Sequence, residues 1–194
     1  MTKKDMKLIS SVIGVILFAV GYFAQQQGIV STVADTGKTV EQHSPGMYSV
    51  SRFVDGDTIA VDMNGKVETI RFIGIDTPET HKPNAPVQCY GTAAAAFTKN
   101  TIGTQQVRLE SDPDSTNRDR YNRLLRYVYL PDGRLLEAEI IKNGYGFAYT
   151  QFPFTKSAEF TQYQDEAHAG AKGLWQNCNP YQEKNGRWQT EDLK

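Results

Sequence analysis

Two short segments, Asp55-Gly56-Asp57-Thr58 and Arg71-Phe72-Ile73-Gly74-Ile75-Asp76-Thr77-Pro78-Glu79, carry the densest polar constellation of this chain. Each lies where a predicted strand leaves the core for a turn, which makes Asp57 and Asp76 candidates for a pair of oxygen ligands to a hard cation such as calcium. Carboxylates, backbone carbonyls and water suit calcium better than zinc, which prefers histidine or cysteine. Arg71 and Asp76, five apart, would face opposite ways on a regular strand. Gly74 between them permits a bulge or a close backbone approach that turns both toward one place. Turn chemistry alone also accounts for Asp-Gly and Thr-Pro-Glu, so neither motif by itself specifies a site. A third segment, Asp119-Arg120-Tyr121-Asn122-Arg123, follows a polar loop from Asp112 to Asn117, and Arg118, Arg120, Arg123 and Arg126 form a local cationic cluster. Their planar guanidinium groups suit phosphate, donating paired hydrogen bonds and staying charged. A solvated strand face balanced by Asp112, Asp114 and Asp119 is the plainer account of the same residues.

The elements that must position these segments are mostly strands. Tyr48, Val50 and Val54 alternate with polar neighbours, and Ile59 and Val61 continue the alternation up to Asn64-Gly65, the strongest short signal for a two-residue hairpin. Val67 to Ile75 is the returning strand; Val107 to Ser111 and Leu124 to Leu130 are further strands, the last closing at the turn Pro131-Asp132-Gly133. Helices are predicted over Gly91 to Thr101, Leu135 to Asn143 with Gly144 as its stop, and Ser157 to Ala171 with Gly173 beyond. Five short strands with inserted helices predict an α+β chain with a mainly β core, a five-stranded OB-fold barrel with three α-helices. Phe97, Tyr127, Tyr129, Phe147, Phe160 and Tyr163 read as core or half-buried residues.

The length of 194 residues suffices for one well-buried domain. With 39% apolar residues, and 21 Lys plus Arg against 22 Asp plus Glu, a disordered chain, a collagen-like repeat and a multi-span membrane protein are excluded. A net charge of -1 excludes coating of nucleic acid by bulk electrostatics, so an anionic substrate must meet a local cluster of cations. Lys3, Lys4 and Lys7 precede an apolar run from Leu8 to Ala24, which fits either a cleaved signal peptide or a membrane anchor. The expected organisation is a leader over 1–24, a polar linker over 25–46, a folded domain over 47–179 and a polar tail over 180–194, where Trp188 has no evident partner. With the lysines on the cytoplasmic side, the rest faces outward: an extracytoplasmic domain, membrane-anchored or secreted. In an exported chain Cys89 and Cys178 suggest a disulfide, two free thiols being the alternative. His43, His81 and His168 are too scattered for a metal set, and nothing suggests an obligate protein partner, so a monomer is expected.

Taken in order, Asp55-Gly-Asp-Thr58, Arg71 to Thr80, Tyr90-Gly91 followed by Ala95, Phe97, Thr98 and Lys99, Asp119 to Arg123, and Gly173-Leu174-Trp175 resemble the staphylococcal nuclease (thermonuclease) family over about Tyr48 to Asn179. The resemblance implies a five-stranded barrel with three helices that hydrolyses phosphodiester bonds of DNA and RNA with calcium. It implies Asp57 and Asp76 as metal carboxylates with the Thr77 carbonyl as a further ligand, Glu79 as general base, and Arg71 and Arg123 as the arginines on the scissile phosphate. Tyr121 and Tyr149 match nucleotide-contacting positions, and Arg120 lies beside them. A catalytically inactive OB-fold module that binds nucleic acid or protein is the competing expectation, disfavoured by the survival of all five ionic residues.

Two departures bear on substrate binding. Where the family's type member has a second tyrosine, two positions after the one matched by Tyr149, this chain has Gln151, so stacking is expected to be weaker or to come from Phe152 or Phe154. Residues 47–179 carry 14 Lys plus Arg and 16 Asp plus Glu, a balance of -2, so weaker binding with a shallow salt dependence is expected.

Overall fold

Strands β1 (Met47–Asp55), β2 (Thr58–Met63), β3 (Lys66–Phe72), β5 (Gln106–Glu110) and β6 (Leu124–Tyr129) close into a barrel in the order β1-β2-β3-β6-β5. The computed structural model describes residues 46–80 and 86–193. The expected leader, linker residues 25–45, His43 and His81 lie outside the described residues. Among the described residues no helix is long and apolar enough to cross a membrane.

The barrel follows from its local signals. Asn64 and Gly65 both take positive φ, 59° and 87°, as a two-residue turn whose twist matches the strands requires, and Met63 pairs with Lys66 across it. Alternation buries Ile59, Val61, Ile70 and Phe72 inside, where they meet Leu124, Val128 and Leu130. The barrel closes through a parallel contact, Ile70 opposite Leu124, which a hairpin cannot make; the intervening chain contains α1 (Gly91–Ile102) and β5. Helix α1 buries Gly91, Ala94, Thr98 and Ile102, one face at helical spacing. Helices α2 (Leu136–Lys142) and α3 (Ser157–Ala169) cover one end with Leu136, Ile140, Ile141 and Phe160. A fourth helix, α4 (Leu174–Asn177), adds one turn beyond the three expected.

The returning strand, expected as far as Ile75, ends at Phe72. Gly74 takes φ 73°, and a Cβ there would lie 2.5 Å from the Phe154 ring, so the chain bends and restarts as the two-residue β4 (Ile75–Asp76) against β7 (Phe147–Ala148). Left-handed backbone costs a residue with a side chain ~1 to 2 kcal/mol, and the clash adds to it. Gly74→Ala is therefore expected to lower stability by at least ~2 kcal/mol, read as the midpoint shift in guanidinium unfolding.

Asp112 ties the loop after β5 to the start of α3. Its Oδ2 accepts from the Tyr127 hydroxyl at 2.7 Å and from the Thr155 amide at 2.9 Å, and its Oδ1 from the Asp114 amide at 2.8 Å. Burial alone would raise its pKa, but the hydrogen bonds from Thr155 and Tyr127 outweigh it and hold the carboxyl at about 2, below the ordinary 3.8. The stabilisation it brings is therefore complete above about pH 4 and is lost as pH falls through about 2. Asp112→Asn should be less stable than the parent at neutral pH, and acid titrations of the two should converge near pH 2.

The segment expected as a polar tail is folded. Tyr181–Gln182 (β8) and Trp188–Gln189 (β9) form a hairpin whose turn holds Asn185-Gly186, with Gly186 at φ 83°. Trp188, without an evident partner in the sequence, stacks on Phe147 at 6.2 Å and meets Trp175 edge to face at 5.0 Å. Together with Leu174, Ala167 and the two cysteines these rings make a second apolar cluster beside the barrel.

Candidate active site

The corner between β1 and β2 is braced by the side chains it displays. Asp55 Oδ1 accepts from Gly56 N at 2.9 Å and from the Thr80 hydroxyl at 3.0 Å, joining the corner to the loop after β4. Thr98 of α1 donates its hydroxyl to Gly56 O at 2.6 Å. A Cβ on Gly91 would lie 2.7 Å from Glu79 O, so α1 can begin against the Glu79 backbone because glycine leaves the space.

Inside this frame Asp57, Arg71, Asp76 and Glu79 converge. Arg71 Nη2 lies 3.1 Å from Asp57 Oδ2 and 3.1 Å from Asp76 Oδ1, while Nη1 donates to Phe72 O at 3.0 Å. Asp57 Oδ2 also accepts from Thr77 N at 3.0 Å, and its Oδ1 from the Thr58 hydroxyl at 2.8 Å. The bend at Gly74 thus brings Arg71 and Asp76 to one side, against their spacing on a regular strand and as the intervening glycine permits.

The electrostatics follow from two carboxylates packed together out of water. Burial raises the pKa of Asp76, with Arg71 opposing and Asp57 adding to the rise. Glu79 is pushed up to about 7, by burial first and then by the Asp57 charge and a hydrogen bond with Asp55. A carboxyl poised there can accept a proton at neutral pH. Among the described residues Thr77 Oγ1 is buried without a hydrogen-bond partner, a spare oxygen beside the two acids. Asp57, Asp76 and Thr77 are an all-oxygen donor set, which fits a hard divalent cation. Cys89 and Cys178 come near Glu191, but both sulfurs are consumed in a disulfide across a Cα separation of 6.0 Å.

Arg123 enters from the loop before β6. Asp119 accepts its Nε at 2.7 Å and its backbone N at 2.9 Å, which leaves Nη1 toward the site, 3.5 Å from Thr58 Oγ1. Arg120 donates to the Tyr121 hydroxyl at 2.8 Å, and Tyr121 is exposed with the Arg123 guanidinium 5.4 Å from its ring. The rest of the arginine cluster disperses: Arg118 binds Glu68 at 3.0 Å and Arg126 binds Asn117 Oδ1 at 2.7 Å. Tyr149, held by its amide to Gly74 O at 2.7 Å, lies 5.9 Å from the exposed ring of Phe152. Phe154 is buried against Gly74 and Phe160, so of the two phenylalanines considered for stacking it is not accessible.

Two residues escaped the sequence reading. Arg187 of the C-terminal hairpin donates Nε and Nη2 to Asp76 Oδ2 at 2.9 and 2.8 Å. Gln88 accepts from Glu79 N at 2.8 Å, donates its own amide to Glu79 O at 3.0 Å, and passes its side-chain N–H to Gln189 at 3.0 Å. The available signal was Asn185-Gly186, the same dipeptide that marks the first hairpin.

Residues 69–177 match the sequence model of the family described as staphylococcal nuclease homologue. The chain is 44% identical over 131 residues to a thermonuclease of Staphylococcus hyicus, covering 67% of this chain and 76% of that protein. A thermonuclease of Staphylococcus intermedius is 43% identical over 130 residues, covering 66% and 76%. Endonuclease YncB of Bacillus subtilis is 40% identical over 129 residues, covering 66% and 60%. The closed barrel with its packed helices is an α+β OB-fold, and the chain is a nuclease, a hydrolase. The chain belongs to the staphylococcal nuclease family.

Proposed function

We propose that this chain is a calcium-dependent endonuclease that hydrolyses phosphodiester bonds of DNA or RNA outside the cytoplasm, with 47–179 as its nuclease domain. The observation that carries the reading is the single Arg71 nitrogen shared at 3.1 Å by Asp57 and Asp76, with Glu79 raised to about 7 beside them. Asp57, Asp76 and Thr77 would hold the calcium ion, which when bound opposes the charge gathering on the phosphate oxygens. Glu79 takes the proton of the attacking water, since its carboxyl is ionised in the upper half of the physiological range. Arg71 donates to the phosphate from inside the cluster, and Arg123, aimed by Asp119 toward the Thr58 hydroxyl, donates beside it. Tyr121, Arg120 and Tyr149 are the residues assigned to contact with a nucleotide's sugar and base. The cationic and apolar leader and the disulfide support an extracytoplasmic place, anchored or secreted, and the chain is read as a monomer.

Cleavage of a labelled single-stranded oligonucleotide, with calcium and then with excess chelator, tests this reading. Calcium-dependent cutting that chelator abolishes is expected. Cutting that survives chelator would overturn the metal assignment.

A further inference from the structure

The C-terminal hairpin is fastened to the active-site loop at several independent points. Cys89 N donates to Glu191 O at 2.8 Å, Leu193 N to Val87 O at 2.8 Å, and the buried Thr190 hydroxyl to Cys89 O at 2.9 Å. Gln189 reaches Glu79 through Gln88, Trp188 is packed among Phe147 and Trp175, and the disulfide closes next to both. At the tip, Asn185 O accepts from Gln151 Nε2 at 3.1 Å, so the hairpin lies against the position where the family's second tyrosine is replaced. Arg187 is held at both ends of its own turn: its amide donates to Asn185 Oδ1 at 2.9 Å, and its carbonyl accepts from Glu183 N at 2.8 Å. From this platform the guanidinium reaches Asp76 and stands 5.7 Å from the Tyr149 ring.

We infer that Arg187 is a further substrate-binding residue, a guanidinium that the C-terminal hairpin presents to a phosphate of the nucleic-acid strand. The inference rests on the nuclease reading above and deepens it. Its ground is charge. Asp57 and Asp76 are already balanced by Arg71 and Arg187, and the charge of Arg123 is met by Asp119. Asp55 and Glu79 add two more carboxylates to this cluster, so a divalent cation on Asp57 and Asp76 would bring it to about neutrality and take over the oxygens that Arg71 and Arg187 now hold, releasing their guanidinium groups to the charge of a phosphodiester. Asp76 Oδ2 is the acceptor that Arg187 would then share or give up, and a phosphate oxygen offers its fork the same geometry as a carboxylate. A domain with no general basic surface has a correspondingly large need of each arginine placed at the cleft.

The test is binding, not turnover. The full chain carrying Glu79→Gln, which silences cleavage, is titrated in calcium with a labelled single-stranded oligonucleotide, anisotropy being read across a range of salt. Adding Arg187→Gln should weaken binding at least ~10-fold and reduce the magnitude of the slope of log K against log salt by about 0.7, the loss of one phosphate contact on a single strand. Arg187→Lys, which keeps the charge and loses the fork, should restore the slope and only part of the affinity. This variant also serves if Arg187→Gln does not fold, as judged by its thermal melt. Affinity and slope unchanged in the folded variants would make Arg187 a counter-ion of Asp76 and nothing more, while leaving the nuclease reading intact. Absence of binding by the Glu79→Gln parent itself would instead remove the nucleic-acid reading, and this inference with it.

Discussion

Glu79→Gln is expected to lower kcat on a single-stranded oligonucleotide by at least ~100-fold, the low end of what a positioned general base contributes. The amide keeps the size and most of the hydrogen bonding of the carboxyl but cannot take a proton. Glu79 is useful as a base only when ionised, and its surroundings, burial foremost and then Asp57 and Asp55, hold it at about 7. At limiting calcium the acid limb of kcat/KM should therefore fall near pH 7, and it should move to lower pH as calcium rises, because added positive charge favours the carboxylate. The same placement makes Glu79 a cost to the fold. With its pKa in the folded protein above the ordinary 4.5, ionisation weakens the native state as pH rises from about 4.5 through about 7. In chelator Glu79→Gln should then be more stable than the parent at pH 8 and equal to it at pH 4, by thermal unfolding. A variant that keeps activity within tenfold of the parent would remove Glu79 from the base role.

Loss of the Cys89–Cys178 bond carries the largest stability change expected in this chain. The two residues are 89 apart, and closing a loop of that length constrains the unfolded chain by roughly 4 to 5 kcal/mol in the chain-entropy picture. Cys178→Ser, measured by guanidinium unfolding against the untouched protein, should lose most of that amount. The bond stands between the second apolar cluster and the loop carrying Gln88, so its loss also loosens the hairpin that holds Arg187. A midpoint that does not move when the bond is reduced would show the packing of Trp175 and Trp188 to be sufficient alone.

Much of this protein is legible along the chain because its signals are local. Asn64-Gly65 announced its turn, since few residues accept two successive positive φ values, and alternation placed Ile59, Val61 and Ile70 inside. The helix starting at Gly91 and the Asp-Gly-Asp corner were identifiable for the same reason, and the ordered motifs pointed to the family the comparisons then found. The arginine run was less informative. Four guanidinium groups within nine residues look alike in sequence, yet Arg118 and Arg126 go to Glu68 and Asn117 on the barrel wall and Arg123 alone comes within 3.5 Å of the Thr58 hydroxyl at the acidic corner.

By itself the sequence determined the strands of the barrel, the acidic corner, the glycine at which the chain can bend and the family, all of which depend on neighbours a few residues apart or on fixed strings of residues. Tertiary structure alone decided which charges meet. The parallel contact of β3 with β6, the link from Gln189 through Gln88 to Glu79, and the fork of Arg187 on Asp76, 111 residues away, are set by packing between distant segments. The tail reads as polar because its strands are two residues long, with Gln189 buried and Trp188 half-buried beside exposed residues, so no periodic pattern can develop. It is ordered by hydrogen bonds to the Val87–Cys89 backbone, a disulfide and one indole ring, contacts that exist only after the barrel has brought their partners together.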